Sequence, residues 1–113
     1  MLLGAIKFDG FKGAGYHFLK MAVGILTIEI FIPASLSLKE KKRTLNSLKE
    51  RLRRTFNISI AEIGLHGKWQ RSILAVANVN VNKKQAESQL NKIIDFIDKF
   101  GKVQLLDCQT ELL

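Results

Sequence analysis

The stretch AVGILTIEIFIPASLSLKEKKRTLNSLKERLRR, Ala22–Arg54, holds two periodicities separated by one proline. In its first third, Leu26, Ile28, Ile30 and Ile32 fall on one side and Thr27, Glu29 and Phe31 on the other. A period of two with one apolar side predicts a β-strand, and Pro33 closes it. Ser37 followed by Glu40 is then a capping box, in which the two side chains satisfy free backbone N–H groups at a helix start. Leu38, Leu45, Leu48 and Leu52 recur at helical spacing, with Phe56 closing the seam. A strand feeding a capped amphipathic helix is half of a β-α-β unit.

The same logic extends outward. Asn57–Ile63 predicts a short strand, Gly64–Lys68 a loop and Trp69–Val81 a further strand. Asn82 is placed to cap a helix over Lys83–Phe100, whose apolar side is Ala86, Leu90, Ile93, Ile94 and Ile97. Gly101 suits the helix end, and Val103–Leu112 supplies the last strand. The predicted class is α+β. With right-handed crossovers, the order β-α-β-β-α-β makes a ferredoxin-like sandwich, one four-stranded antiparallel sheet with two helices on one face.

The 113 residues suffice for one core of this kind. Residues 1–20 contain four glycines and no sustained period, whereas Met21 opens the strand pattern. The reading is a loosely ordered extension, or an upstream start codon, over 1–20 and a single domain over 21–113. One cysteine and two separated histidines exclude an internal disulfide and leave no closed metal site, so a reducing cytoplasm fits best. The most apolar run, Met21–Leu36, carries Glu29 and Pro33 and is too short for a spanning helix, so no membrane segment is expected. A Gly-rich phosphate loop, a nucleophile elbow and paired carboxylates are all missing, which predicts a non-enzyme without cofactor, metal or catalytic residues. Cys108 reads as a small core residue on a face shared with Leu106 and Leu112.

The net charge is +8, and Ser37–Arg54 supplies six of those charges from eight cations and two acids. Such asymmetry points to a polyanion. Only Glu40 and Glu50 are available for pairing along the helix, so its like-charge repulsion is left standing. Topology would gather Lys39, Lys42, Arg43, Lys68, Trp69, Arg71 and Lys102 at one end of the sandwich. Lys42, Lys49 and Arg53, at seven- and four-residue spacing, would continue the stripe down one helix flank. Lys39, Lys42, Arg43, Lys49 and Arg53 are therefore the candidate phosphate contacts, extended by Lys68 and Arg71. Trp69 either stacks on a base or folds back over the sheet edge, the commoner arrangement for a large aromatic. His66 reads as an ordinary loop histidine.

The bare side of the sheet offers a different partner. Val23, Ile25, Leu74 and Val76, with Thr27, Glu29 and Asn78, are expected there and would form a partly apolar surface suited to a homodimer or another protein.

The segments MAVGILTIEIFIPASLSLKEKKRTLNSLKERL, FNISIAEIG, KWQRSILAVANV and IIDFIDKFGKVQLLD resemble the YlxP-like family of small bacterial proteins over Met21–Leu113. The positions matched include Ser37–Arg43 and Trp69–Arg71, and no catalytic residues carry over. The resemblance implies the ferredoxin-like fold and, through genes that often neighbour those of a transcription elongation factor, translation initiation factor 2 and ribosome-binding factor A, a role around RNA or the ribosome. An RNA-recognition motif has the same element order, but its third strand carries aromatics where SILAVANV has none. Any RNA would be held by phosphates and shape.

Overall fold

The computed structural model describes the backbone of residues 5–7 and 18–20 and the whole of residues 21–113. Two short strands, β1 (Ala5–Lys7) and β2 (Phe18–Lys20), pair antiparallel with Ile6 opposite Leu19. The rest of the predicted extension, 1–4 and 8–17, lies outside the described residues. There follow β3 (Ala22–Phe31), α1 (Leu38–Thr55), β4 (Ser59–Gly64), β5 (Arg71–Asn80), α2 (Lys83–Asp98) and β6 (Gln104–Leu112). The last six elements form one antiparallel sheet in the order β4-β5-β3-β6 beneath two helices, a ferredoxin-like fold.

Each boundary has a local cause. Ser37 Oγ accepts from the Glu40 N–H at 3.1 Å, and the Glu40 carboxylate reaches back to the Leu36 N–H at 2.5 Å. The box therefore closes one residue further back than its usual reciprocal bond to the cap residue. Asn82 caps α2 by accepting from the Gln85 N–H at 2.8 Å. Past the end of α2, Gly101 takes φ +85, a left-handed conformation that glycine adopts without a Cβ clash.

The core lies between the sheet and the helices. Leu26, Ile28 and Ile30 of β3 meet Leu48 and Leu52 of α1 and Leu90, Ile93 and Ile97 of α2, all buried. Burial of each such side chain contributes about 1.5–3 kcal/mol. Gly24 shares this inner face, and a Cβ there would stand 3.0 Å from Leu90, so the glycine lets α2 close onto β3.

Three sequence expectations are corrected. Leu38 is 46% exposed, and the buried seam of α1 is Lys41, Leu45, Leu48 and Leu52. A lysine four residues before Leu45 holds the place that apolarity alone assigned to Leu38. On β5, Leu74, Val76 and Asn78 face the helices rather than the bare side. Their partners Ile28, Leu26 and Gly24 point inward, and antiparallel partners share a face, so the bare side carries Ile73, Ala75, Ala77 and Val79 beside Val23, Ile25, Thr27 and Glu29. Cys108 is exposed rather than core. It pairs with Ile28 on the helix side, but on an edge strand, and the register shift between Glu29 and Ile30 offsets Leu106, itself 50% exposed, from the Cys108–Leu112 alternation. Partial desolvation of the thiol and then the neighbouring Asp107 push Cys108 above its ordinary pKa.

Candidate nucleic-acid interface

The basic helix turns one of its cations inward. Lys41 is 2% exposed, and its ammonium donates to the Leu65 carbonyl at 2.7 Å and lies 2.9 Å from Glu62 Oε2. The His66 carbonyl stands at 3.4 Å. Glu62 also accepts from the buried Ser72 hydroxyl at 2.6 Å. Burial alone would raise the Glu62 carboxyl, but the Ser72 bond and the bond and charge of Lys41, helped by His66, outweigh it and hold the group below the usual carboxylate range. This cluster clamps the turn between β4 and β5 where Leu65 sits at φ 60, a left-handed conformation costly for a branched side chain. Lys41 enters the sequence reading through the charge of Ser37–Arg54; its spacing to Leu45, Leu48 and Leu52 is the signal that it belongs to the seam.

The clamped turn and α1 enclose a groove of about 260 Å³ lined by Lys41, Lys42, Asn46, Lys49, Glu62 and His66. Lys42 is exposed and Lys49 half-buried on that flank. Arg53 follows one turn on, exposed, with its guanidinium donating to the Ile60 carbonyl at 3.3 Å. The predicted stripe of Lys42, Lys49 and Arg53 thus lies together along β4. Arg43 lies on the opposite flank, where it shares a depression of about 360 Å³ with Glu40, Thr44 and Lys102. Lys39 is exposed in the first turn. The end of the sandwich is therefore basic on both sides of α1 rather than along one continuous edge.

Trp69 is 55% exposed and lines a shallow depression of about 370 Å³ with Gly67, Lys68 and Arg71. It does not fold back into the sheet. The Gln70 side chain donates to the Pro33 carbonyl at 3.2 Å, which ties this hairpin to the loop before α1. Lys68 is exposed beside it, whereas Arg71 is engaged by Glu29 in an ion pair on the bare side of the sheet. The ion pairs among the described residues are Lys41–Glu62, Arg71–Glu29 and Lys99–Asp95, so Lys39, Lys42, Arg43, Lys49 and Lys68 have no carboxylate partner among the described residues. Among the described residues no three His, Cys, Asp or Glu side chains converge as a metal site would require, and no helix is long and apolar enough to cross a membrane.

A family described as "Protein of unknown function (DUF503)" matches residues 23–110, from the start of β3 to near the end of β6. The protein named "Uncharacterized protein YlxP" of Bacillus subtilis (strain 168) is 35% identical over 89 residues, 79% of this chain and 97% of that relative. The match spans both β-α-β halves, the basic helix and the hairpin that carries Trp69, and the chain belongs to the DUF503 family of YlxP-like bacterial proteins.

Proposed function

We propose that the protein is a non-enzymatic, cytoplasmic RNA-binding accessory factor, with ribosomal RNA as its first candidate partner. Lys39, Lys42, Arg43 and Lys49 contact phosphates, Lys68 extends the surface, and Trp69 stacks on an unpaired base. Arg53 adds the guanidinium donors that Ile60 leaves open, and Arg71 stands at the rim with Glu29. The carrying observation is the set of exposed cations on α1 that no described carboxylate neutralises, at the same end of the fold as an exposed tryptophan. Unrelieved repulsion on one helix costs stability, and an external polyanion offsets it.

The test is binding of labelled ribosomal RNA and of a matched DNA duplex to the whole chain and to a Lys42→Glu/Lys49→Glu variant. RNA binding that the variant loses by ~tenfold or more is expected, since two phosphate contacts become repulsions. Equal affinity for both proteins would sink the reading.

The bare sheet face supports a second reading, self-association. Val23, Ile25, Ala77 and Val79 form an apolar patch because Val23 lies opposite Val79 and Ile25 opposite Ala77, and Ile73 stands beyond Ala75, opposite Glu29. Val79 is 54% exposed. Light scattering on the chain and on Ile25→Asp distinguishes it: a monomer at every concentration, unchanged by the variant, removes this reading.

A further inference from the structure

The two edges of the sheet are finished differently. In β4, Ser59 and Ala61 pair with Ala77 and Ala75, and Ile60 and Glu62 turn their backbone groups outward. Both outward carbonyls are covered: Arg53 donates to that of Ile60, and the His66 ring nitrogen lies 3.3 Å from that of Glu62. With the register shift between Glu62 and Gly64, this edge is closed to another strand.

The β6 edge is not. Val23 and Leu113 exchange both backbone bonds, at 3.0 and 2.8 Å, so by alternation Glu111, Gln109 and Asp107 also face β3. Cys108, Thr110 and Leu112 turn outward. Among the described residues, the one bond that reaches this edge is donated by the Cys108 N–H to Asp107 Oδ1, at 2.8 Å. The strand runs for nine residues with no Lys, Arg or Pro, the residues that usually discourage edge pairing.

Its charge selects the occupant. Asp107 lies directly opposite Glu29, and Glu111 stands two positions beyond Gln109 on the same face. Arg71 engages Glu29 alone of the three. Like charges opposite one another on a sheet are destabilising, and a cation on an added strand would relieve them. A second copy would not supply one: paired over all nine residues about Cys108, it sets Asp107 diagonal to the copy's Asp107. The net charge of +8 is concentrated on α1, and screening over about 8 Å leaves the local acids to govern contact at β6.

We propose that the outer edge of β6 is a strand-addition site for an extended basic segment of a partner protein, with backbone bonds to Cys108, Thr110 and Leu112 and cations set against Asp107 and Glu111. This inference does not depend on the RNA reading.

The experiment uses the whole chain and the blocked peptide Lys-Thr-Val-Thr-Lys-Thr-Val-Thr-Lys, with its Glu-for-Lys counterpart, followed by amide exchange and titration. The lysine peptide is expected to bind and to protect the Thr110 and Leu112 N–H groups. Thr110→Pro removes an outward N–H that β3 does not use, so it abolishes binding while the sheet is kept. Asp107→Lys/Glu111→Lys is expected to reverse the preference by ~tenfold or more in favour of the glutamate peptide. The proposal is overturned by protection elsewhere, by binding that Thr110→Pro leaves intact, by an unchanged preference in the charge-reversed chain, or by no binding at millimolar peptide. Concentration-dependent protection of Thr110 without peptide would make a second copy the occupant and overturn it equally.

Discussion

Lys41 shows how one side chain can belong to a run by type and to the core by position. Its ammonium is held by a carboxylate and by the carbonyls of the Leu65 turn, so its burial is tolerated only while those partners stay. Lys41→Met should therefore destabilise the fold by about 3 kcal/mol in chemical denaturation, because Glu62 and the turn carbonyls lose their donor. A Lys41→Met/Glu62→Leu double variant should regain part of that loss, since removing both charges removes their desolvation cost. The same cluster sets an acid response. Because the folded Glu62 carboxyl sits below the ordinary range, its contribution is present above the unfolded pKa and is lost as pH falls through the folded value. Stability measured against pH should fall across that interval, and Glu62→Gln, though less stable at neutral pH, should show a flatter acid limb. A parallel limb in the variant would assign the acid loss to other carboxylates.

At the scale of elements, α1 is defined by which of its leucines pack. Leu48 is fully buried against β3 and α2, and Leu38 is 46% exposed in the first turn. Leu48→Ala should cost about 2–5 kcal/mol, and Leu38→Ala well under ~1 kcal/mol. Comparable losses would mean that the helix is rotated from the seam described above. Strand, helix and cap identities were legible in the sequence because each has a local signal: the period of two in Ala22–Ile32, Ser37 with Glu40, Asn82, and Gly101. The inner face of β5 was not. Ser72, Leu74, Val76 and Asn78 alternate with Ile73, Ala75, Ala77 and Val79, and both sets are apolar enough to be inward. Pairing with β3 chose between them, and the polar members of the inner set found partners, Ser72 at Glu62 and Asn78 at the Asn57 carbonyl 2.8 Å away.

At the scale of the whole molecule, charge is distributed by element. Cations crowd both flanks of α1, whereas β6 carries acids alone. If Lys39, Lys42, Arg43, Lys49 and Lys68 each meet one phosphate, the logarithm of the RNA affinity should fall against the logarithm of salt with a slope of about −3 to −4. Lys42→Glu/Lys49→Glu should flatten that slope by at least ~1.4, the contribution of two contacts on a single strand. A slope near zero would show that the cations do not engage phosphates. The bare sheet face and the β6 edge lie on other sides of the sandwich from α1, so the RNA proposed for α1 would leave both open to the protein partners proposed for them.

The order β-α-β-β-α-β, the capped basic helix and the concentration of charge on it were determined by the sequence alone, because periodicity, capping and composition act over a few residues. The tertiary structure decided the burial of Lys41, the exposure of Trp69 and Cys108, the inner face of β5 and the contrast between the two sheet edges. Each of these depends on residues far apart in the chain: Lys41 on the Leu65 turn, Trp69 on Gln70 reaching Pro33, the β4 edge on Arg53 and His66. Burial and hydrogen-bond satisfaction are properties of what the fold brings alongside, and side-chain type does not carry that information.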